Sequence, residues 1–403
     1  MAVIEKTDKM NNGFTLPNEV TEKTKLEHLN LNWEEKDLTE KVRTKHVHRL
    51  HPYLGKFIPQ IVEIFLRKFF KPGDKILDPF CGSGTTLVQC NELGIDSIGY
   101  DISEFNVLLS KVKTDKYNID KMEAEVIDIM NKVGELSQSN YWQLNLINPI
   151  QIHDKHLKTN NEYLNKWFAP QSLREILTFK YLIENFEYEY KDLLKIILSR
   201  SARSARLTTH FDLDFPKKPQ KTPYWCYKHS RNCKPTEEAY KFIRRYCIDT
   251  VKRIKEFSKI RTNASVEVKH IDSREAETPR INGVITSPPY VGLINYHEQH
   301  IYAYELFQLN GKHDFEIGSA TKGASQSAKN KYTNELTQVF KKIASSVVNG
   351  GKFIVIANDK YNLYDKIAED SGLKTIDIIK RDVNRRTGRR SSNFSESIFI
   401  WEK

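Results

Sequence analysis

Lys75-Ile76-Leu77-Asp78-Pro79-Phe80-Cys81-Gly82-Ser83-Gly84-Thr85-Thr86 is the stretch that decides the architecture. Ile76-Leu77 is a short apolar strand that runs into a turn with two glycines. Thr85 or Thr86 then caps a helix carrying Leu87, Val88 and Leu93. Gly94 ends that helix, and Ser97-Ile98-Gly99-Tyr100 reads as a second strand finishing at Asp101. A strand, loop, helix and strand of this length predict a parallel sheet with helices on its faces. Gly82 and Gly84 let the backbone approach a ligand closely, and the amides at the start of the helix face the same space. Two nucleotide-binding alternatives fail on the letters. A P-loop needs a Lys after its last glycine, and none follows Gly84. A dinucleotide fingerprint needs a third glycine where Leu87 stands. Asp101 sits at the end of the second strand, where an acid can hold ribose hydroxyls.

Working outward, Ile61, Ile64, Phe65 and Phe69 recur at helical spacing and predict a helix over 59–70, stopped by Lys71-Pro72-Gly73-Asp74. Residues 1–45 are charged and patternless and read as an N-terminal arm. The alternation of strands and helices stops after Lys113, and residues 115–262 look mainly helical. It returns at Val266-Glu267-Val268, Val284-Ile285-Thr286 and Lys352 to Ala357. A helix is expected over 334–348, ended by Gly350-Gly351. Ile376 to Ile379 and Ser397 to Trp401 read as a closing pair of strands around an Arg-rich loop. The chain is therefore expected to hold one α/β domain, residues 46–114 and 263–403, interrupted by an insertion over 115–262.

A second motif, Thr286-Ser287-Pro288-Pro289-Tyr290, directly follows the apolar strand Gly283-Val284-Ile285. Two prolines stiffen the loop and remove two backbone donors. That leaves carbonyl acceptors beside a hydroxyl and an aromatic face. Such a set suits a planar ring with an exocyclic amine, whose protons the carbonyl and hydroxyl accept while Tyr290 stacks on the ring. A plain proline turn with a packed Tyr is the alternative.

Taken together, the two motifs resemble those of the S-adenosylmethionine-dependent DNA amino-methyltransferases, which modify cytosine N4 or adenine N6. Asp78 to Thr86 matches that family's Asp-Pro-Phe-x-Gly-Ser-Gly-Thr-Thr cofactor loop, and Ser287-Pro288-Pro289-Tyr290 matches its catalytic loop. His51-Pro52-Tyr53-Leu54-Gly55-Lys56-Phe57 looks like the segment that folds over the methionine end of the cofactor, and His270-Ile271-Asp272-Ser273 is similar to a third cofactor-contacting motif. The resemblance covers 45–113 and 265–401 and leaves the insertion uncovered. It implies a doubly wound, mostly parallel, seven-stranded Rossmann-like methyltransferase sheet. It further implies S-adenosyl-L-methionine held by Tyr53, Lys56, Asp78, Pro79, Phe80, Cys81, Gly82, Gly84, Thr85, Thr86, Asp101, Ile102 and Asp272, with catalysis by Ser287, Pro288, Pro289 and Tyr290. Ser at the head of the catalytic loop leans toward cytosine N4, since adenine N6 enzymes more often carry Asp or Asn there. An RNA amino-methyltransferase and a non-catalytic DNA-binding module of the same fold stay open. Carbon-5 methylation of cytosine needs a covalent intermediate, usually from a Cys after Pro, and no cysteine here follows a proline.

The formal net charge of +11 is localised. Arg200 to Arg261 holds 17 Lys and Arg against 6 Asp and Glu, so this stretch alone carries the excess. Its expected partner is a polyanion, here double-stranded DNA. Arg200, Arg203 and Arg206 fall three apart and form one stripe on a helix. Lys217, Lys218 and Lys221 mix with Tyr224 and Trp225 as in a groove-reading loop. Arg385, Arg386, Arg389 and Arg390 form another cluster. A solvated surface is the alternative for each. Cys226, His229, Cys233 and Cys247 could make a zinc site, but their spacing fits no common template, and free thiols are the reading taken, with no metal assigned. At 403 residues, 39% hydrophobic and 29% charged, the composition is globular. The longest apolar runs fall far short of the roughly 20 residues that span a bilayer, and Met1 to Lys6 lack a signal core. Five scattered cysteines point to a reducing compartment, hence a cytoplasmic protein. A cognate restriction endonuclease is an expected companion in a restriction–modification or related defence system.

Overall fold

Strand β1, Lys75–Asp78, carries Ile76, Leu77 and Asp78 fully inside, because helices cover both faces of a parallel sheet. In the computed structural model, which describes residues 13–34, 36–53, 55, 57–137, 152, 154–208, 218–226, 230–292, 296–312, 315–319, 323–383 and 394–403, β1 lies near the middle of a seven-stranded sheet. It pairs in parallel with β2, Asp96–Asp101, on one side and with β6, Ile281–Thr286, on the other. β5, Val266–His270, extends the sheet beyond β2, and β7, Val347–Ala357, extends it beyond β6, both in parallel. β9, Phe394–Glu402, and β8, Lys374–Val383, close it antiparallel, giving the order β5-β2-β1-β6-β7-β9-β8. Among the described residues two further strands, β3 (Tyr224–Cys226) and β4 (Arg231–Cys233), pair antiparallel as a separate two-stranded sheet.

Helices α1 (Pro59–Phe69), α2 (Thr85–Glu92) and α3 (Glu104–Thr114) flank the first strands. The chain runs β1, β2, β5 outward and then returns to β6 on the other side of β1. That reversal opens a crevice at the carboxyl ends of β1 and β6, where sheets of this kind bind ligands.

Residues 115–262 contribute α4 (Ile119–Leu136), α5 (Glu162–Trp167), α6 (Pro170–Asn185), α7 (Lys191–Ala205) and α8 (Tyr240–Ser258). Their apolar faces share one core with Val47 and Leu50, with Phe105, Leu109 and Val112 of α3, and with Tyr302 and Leu306 of α9 (Ile301–Phe307). The helices are thus built onto α3 and α9.

Two expectations need correction. The N-terminal segment, expected to be an arm or a partly ordered lead-in, is packed on the domain where it is described. Val20, Leu29, Leu31, Trp33 and Leu38 are buried against α1 and the strand residues Ile354, Ile356, Ile398 and Ile400. It escapes periodicity because it packs through short 3-10 turns at Pro17–Glu19 and Leu26–His28. The helix expected over 334–348 runs from Gln326 to Ala344 (α10), capped by Ser325, whose hydroxyl accepts the Ala328 amide. Its polar first turns hide it, and Gly350-Gly351 lie inside β7 instead. α11, Tyr364–Asp370, follows. Among the described residues no helix is long and apolar enough to cross a membrane.

Candidate active site

The loop after β1 folds on itself because its glycines adopt conformations that side chains resist. Gly82 (φ +50°) and Gly84 (φ +73°) are both left-handed. The Gly84 amide donates to the Cys81 carbonyl at 2.7 Å, and the Cys81 amide donates to Tyr100 O at 3.0 Å. The Gly82 amide donates to Asp101 Oδ2 at 2.8 Å, and Gly82 O accepts from Ser110 Oγ at 2.9 Å. The buried Lys113 ammonium donates to Ser83 O at 2.6 Å. Asp101 also accepts from the Ser103 amide (2.8 Å) and Asn106 Nδ2 (3.1 Å). Burial still lifts its carboxyl above the usual range.

This loop and its neighbours bound a cleft, open to solvent, at the crevice between β1 and β6. Tyr53, Pro79, Phe80, Cys81, Gly82, Thr85, Asp101, Ile102 and Asp272 line it, and so do Ser287 and Pro289 from the loop after β6. The glycine turn and the double-proline corner therefore face one cavity. Asp272 is gripped by Arg274, whose Nε donates to it at 3.0 and 3.1 Å and which also reaches Glu335 at 2.8 Å. Burial raises the Asp272 carboxyl, but this fork outweighs burial and holds it below its ordinary value. Phe57, Ser83, Asn106, Ser273, Phe315 and Glu316 also line the cleft and were missed as candidates. Asn106 had a local signal, since Ser103 caps α3 by accepting its amide.

Other expected site residues lie elsewhere. Asp78 is fully buried below the cleft. Its Oδ1 accepts from Thr286 Oγ1 at 2.7 Å and from the Phe80 amide at 3.1 Å, so it ties the two loops together from beneath. Thr86 is buried beside it and donates to Ile285 O at 3.3 Å, a second tie. Gly84 shapes the loop without lining the cleft. Pro288 is buried, and Tyr290 is only 7% exposed, its ring packed in the core under β6 and β7 rather than over the cleft. Lys56 lies outside the described residues, as do Lys217, His229, Arg385, Arg386, Arg389 and Arg390.

The arginine stripe points inward. Arg200 Nη1 donates to Asp249 at 2.6 Å and lies over the Tyr246 ring. Arg206, 2% exposed, donates to Tyr163 OH at 3.3 Å and lies over Trp167 and Tyr302. Both are therefore corrected from phosphate-binding to structural side chains, and burial lowers the Arg203 pKa in the same environment. Helical spacing gives a shared direction but not its sign, and here the direction is toward an aromatic interior. By contrast, Lys218, Lys221 and Trp225 are exposed and Tyr224 is half-buried, on and beside the β3–β4 pair. Cys226, Cys233 and Cys247 are buried thiols.

Burial pushes the Asp78 carboxyl up to about 6, against the pull of its bonds from Thr286, Thr86 and Phe80. A folded value above the unfolded one means that the native state binds the extra proton. The contribution of Asp78 to stability is therefore fully present below pH 4, is lost as pH rises through 4 to 6, and is flat beyond. Asp78→Asn keeps one oxygen to accept from Thr286 and the Phe80 amide and removes the charge. In urea titrations, wild-type stability relative to Asp78→Asn should drop by on the order of 3 kcal/mol across that window. A difference independent of pH would refute it.

A family described as DNA methylase matches residues 2–112, and the RMKL-like methyltransferase domain matches residues 67–164. Type II methyltransferase M.MjaII of Methanocaldococcus jannaschii is 38% identical, over 90% of this chain and 81% of its own. The chain belongs to the DNA amino-methyltransferases. It is also similar to the Type II methyltransferases M.MvaI of Kocuria varians (25% identical, 60% of this chain) and M.BsoBI of Geobacillus stearothermophilus (27%, 66%), in each case spanning about half of the relative. As a DNA amino-methyltransferase it uses S-adenosylmethionine, and the cleft fits that molecule. A Cβ on Gly82 would lie 3.1 Å from Tyr53 OH, so a glycine keeps the cradle open. Asn106 Oδ1 is a buried acceptor on the cleft wall with no hydrogen-bond partner among the described residues, as a ligand hydroxyl or ammonium requires.

Proposed function

We propose that this methyltransferase moves a methyl group to the exocyclic amine of a base flipped out of duplex DNA, with cytosine N4 as the target. The observation that carries the reading is the shared cleft: Gly82 and Ser287 line one cavity, and the Thr286–Asp78 hydrogen bond joins their loops. S-adenosylmethionine supplies an electrophilic methyl group on a sulfonium sulfur. The amine is a poor nucleophile because its lone pair is delocalised into the ring. Ser287 Oγ accepts one of its protons from the cleft wall, and we assign the other to the backbone carbonyl of Pro288, although that residue is itself buried; the two draw the nitrogen toward sp³ and free the pair for in-line attack. The new N–C bond forms as the S–C bond breaks, and the nitrogen then gives one proton to solvent. Positioning does most of this work.

Extruding the base costs a few kcal/mol, which backbone and groove contacts must offset. We assign residues 115–262 to recognition, with the β3–β4 pair as the leading contact, because Trp225 is 52% exposed beside Lys218 and Lys221. Exposed aromatics among cations suit stacking and phosphate contact. Trp225→Ala should weaken DNA binding by about tenfold, and Lys221→Ala should reduce the salt slope by about one, both by fluorescence anisotropy. Unchanged affinity and slope would remove the β3–β4 pair from the interface. Arg385, Arg386, Arg389 and Arg390 remain proposed phosphate contacts, and a cognate endonuclease a proposed companion.

The test is mass spectrometry of nucleosides after incubation with methyl-labelled cofactor. N4-methylcytosine is the expected product. N6-methyladenine without N4-methylcytosine would reassign the base, and label confined to RNA would overturn the DNA reading.

A further inference from the structure

Tyr290 is nearly buried and is not among the residues that line the cleft, and its hydroxyl is held by a residue of β9. Tyr290 OH donates to Glu396 Oε1 at 3.1 Å. Glu396, on β9, is the cross-strand partner of Arg381 on β8, and the Arg381 Nε lies 3.4 Å from Glu396 Oε2. Both side chains are buried, and the Arg381 guanidinium sits 5.7 Å from the Trp33 ring. A buried ion pair is costly and adds little net stability, so its value lies in fixing geometry. A carboxylate is also the strongest acceptor a buried phenol can find. One residue earlier in the loop, Pro289 O accepts from Tyr332 OH at 2.8 Å, and Tyr332 is bonded in turn to Tyr364 at 2.6 Å. The catalytic loop is thus pinned from behind at two consecutive residues, leaving Ser287 on the cleft wall.

We propose that Glu396, neutralised by Arg381, is a positioning residue: it fixes the catalytic loop through the Tyr290 hydroxyl and so aims Ser287 and the Pro288 carbonyl at the target amine. This rests on the function proposed above. It assigns the Tyr290 hydroxyl to the loop and not to the base. Misplacing acceptors by even about 1 Å is costly to turnover, while the cofactor walls lie on other elements.

The experiment is a double-mutant cycle on the full chain with Tyr290→Phe and Glu396→Ala, measuring kcat, KM for DNA and cofactor Kd. Each single variant should lose about tenfold or more in kcat, with cofactor Kd within about twofold of wild type. The double variant should be no slower than the worse single one, because Tyr290→Phe removes the donor and Glu396→Ala the acceptor of the same bond. Losses that multiply would overturn the proposal, and so would Glu396→Ala at wild-type kcat. If Glu396→Ala does not fold, Glu396→Asp runs the same cycle, since it keeps the charge for Arg381 and withdraws the carboxylate by one methylene. A wild-type protein that methylates no nucleobase defeats the function reading. An active wild type with an unaffected Glu396 variant defeats only this proposal.

Discussion

Ser287→Ala should lower kcat by about a hundredfold, the usual cost of removing one preorganised hydrogen-bonding group at a reacting centre. The hydroxyl lines the cleft on a loop whose neighbours are fixed by Tyr332 and Glu396. Removing it should leave the loop in place and delete one of the two acceptors that rehybridise the amine. Cofactor Kd should stay within about twofold, because the Tyr53, Asp101 and Asp272 walls are untouched. Single-turnover kinetics beside calorimetry of S-adenosylhomocysteine binding separates the two quantities. Equal losses in both would show that Ser287 holds the cofactor, contrary to its assigned role.

Gly84→Val should do the reverse and strike cofactor binding first. Gly84 sits at φ +73°, and a Cβ there would lie 2.8 Å from Ser110 Oγ and 3.2 Å from Ser110 Cα. The first contact could turn away; the second is backbone of α3 and cannot. A β-branched residue also resists left-handed backbone, at about 1–3 kcal/mol. Displacing Ser110 releases the Gly82 carbonyl that its hydroxyl holds, so the glycine turn opens. Affinity for S-adenosylhomocysteine should fall at least about tenfold with a lower melting temperature, since about 1.4 kcal/mol of lost loop geometry is already that factor. Wild-type affinity in a folded Gly84→Val protein would contradict this account of the loop.

The residues that were legible in advance share one property: their meaning is local. A strand entering Gly82-Ser83-Gly84, and a strand entering two prolines, declare their turns through backbone chemistry alone. The sheet order then brings both turns to one crevice. What stayed hidden depends on which way a side chain faces in three dimensions. Arg200 and Arg206 have the spacing of a surface stripe, yet Asp249, Tyr163 and Tyr302, far away in sequence, receive them inside. Tyr290 carries the expected aromatic letter, but its partner Glu396 lies 106 residues on. Asp78 heads the cofactor motif and still works beneath it, because Thr286 supplies the hydroxyl that turns its carboxylate inward. Trp33 and Leu31 pack on the sheet through irregular turns that have no period to detect.

The central claim, direct transfer to an exocyclic amine at the cleft where the two loops meet, makes a chemical forecast that needs no structure to check. With DNA containing 5-fluorocytosine and methyl-labelled cofactor, the protein should go on turning over. It should form no denaturant-stable adduct with the DNA, and its label should be recovered on an amino nitrogen. A denaturing gel showing protein covalently joined to the fluorinated strand would mean attack on the ring carbon through an enzyme nucleophile, and would contradict the mechanism.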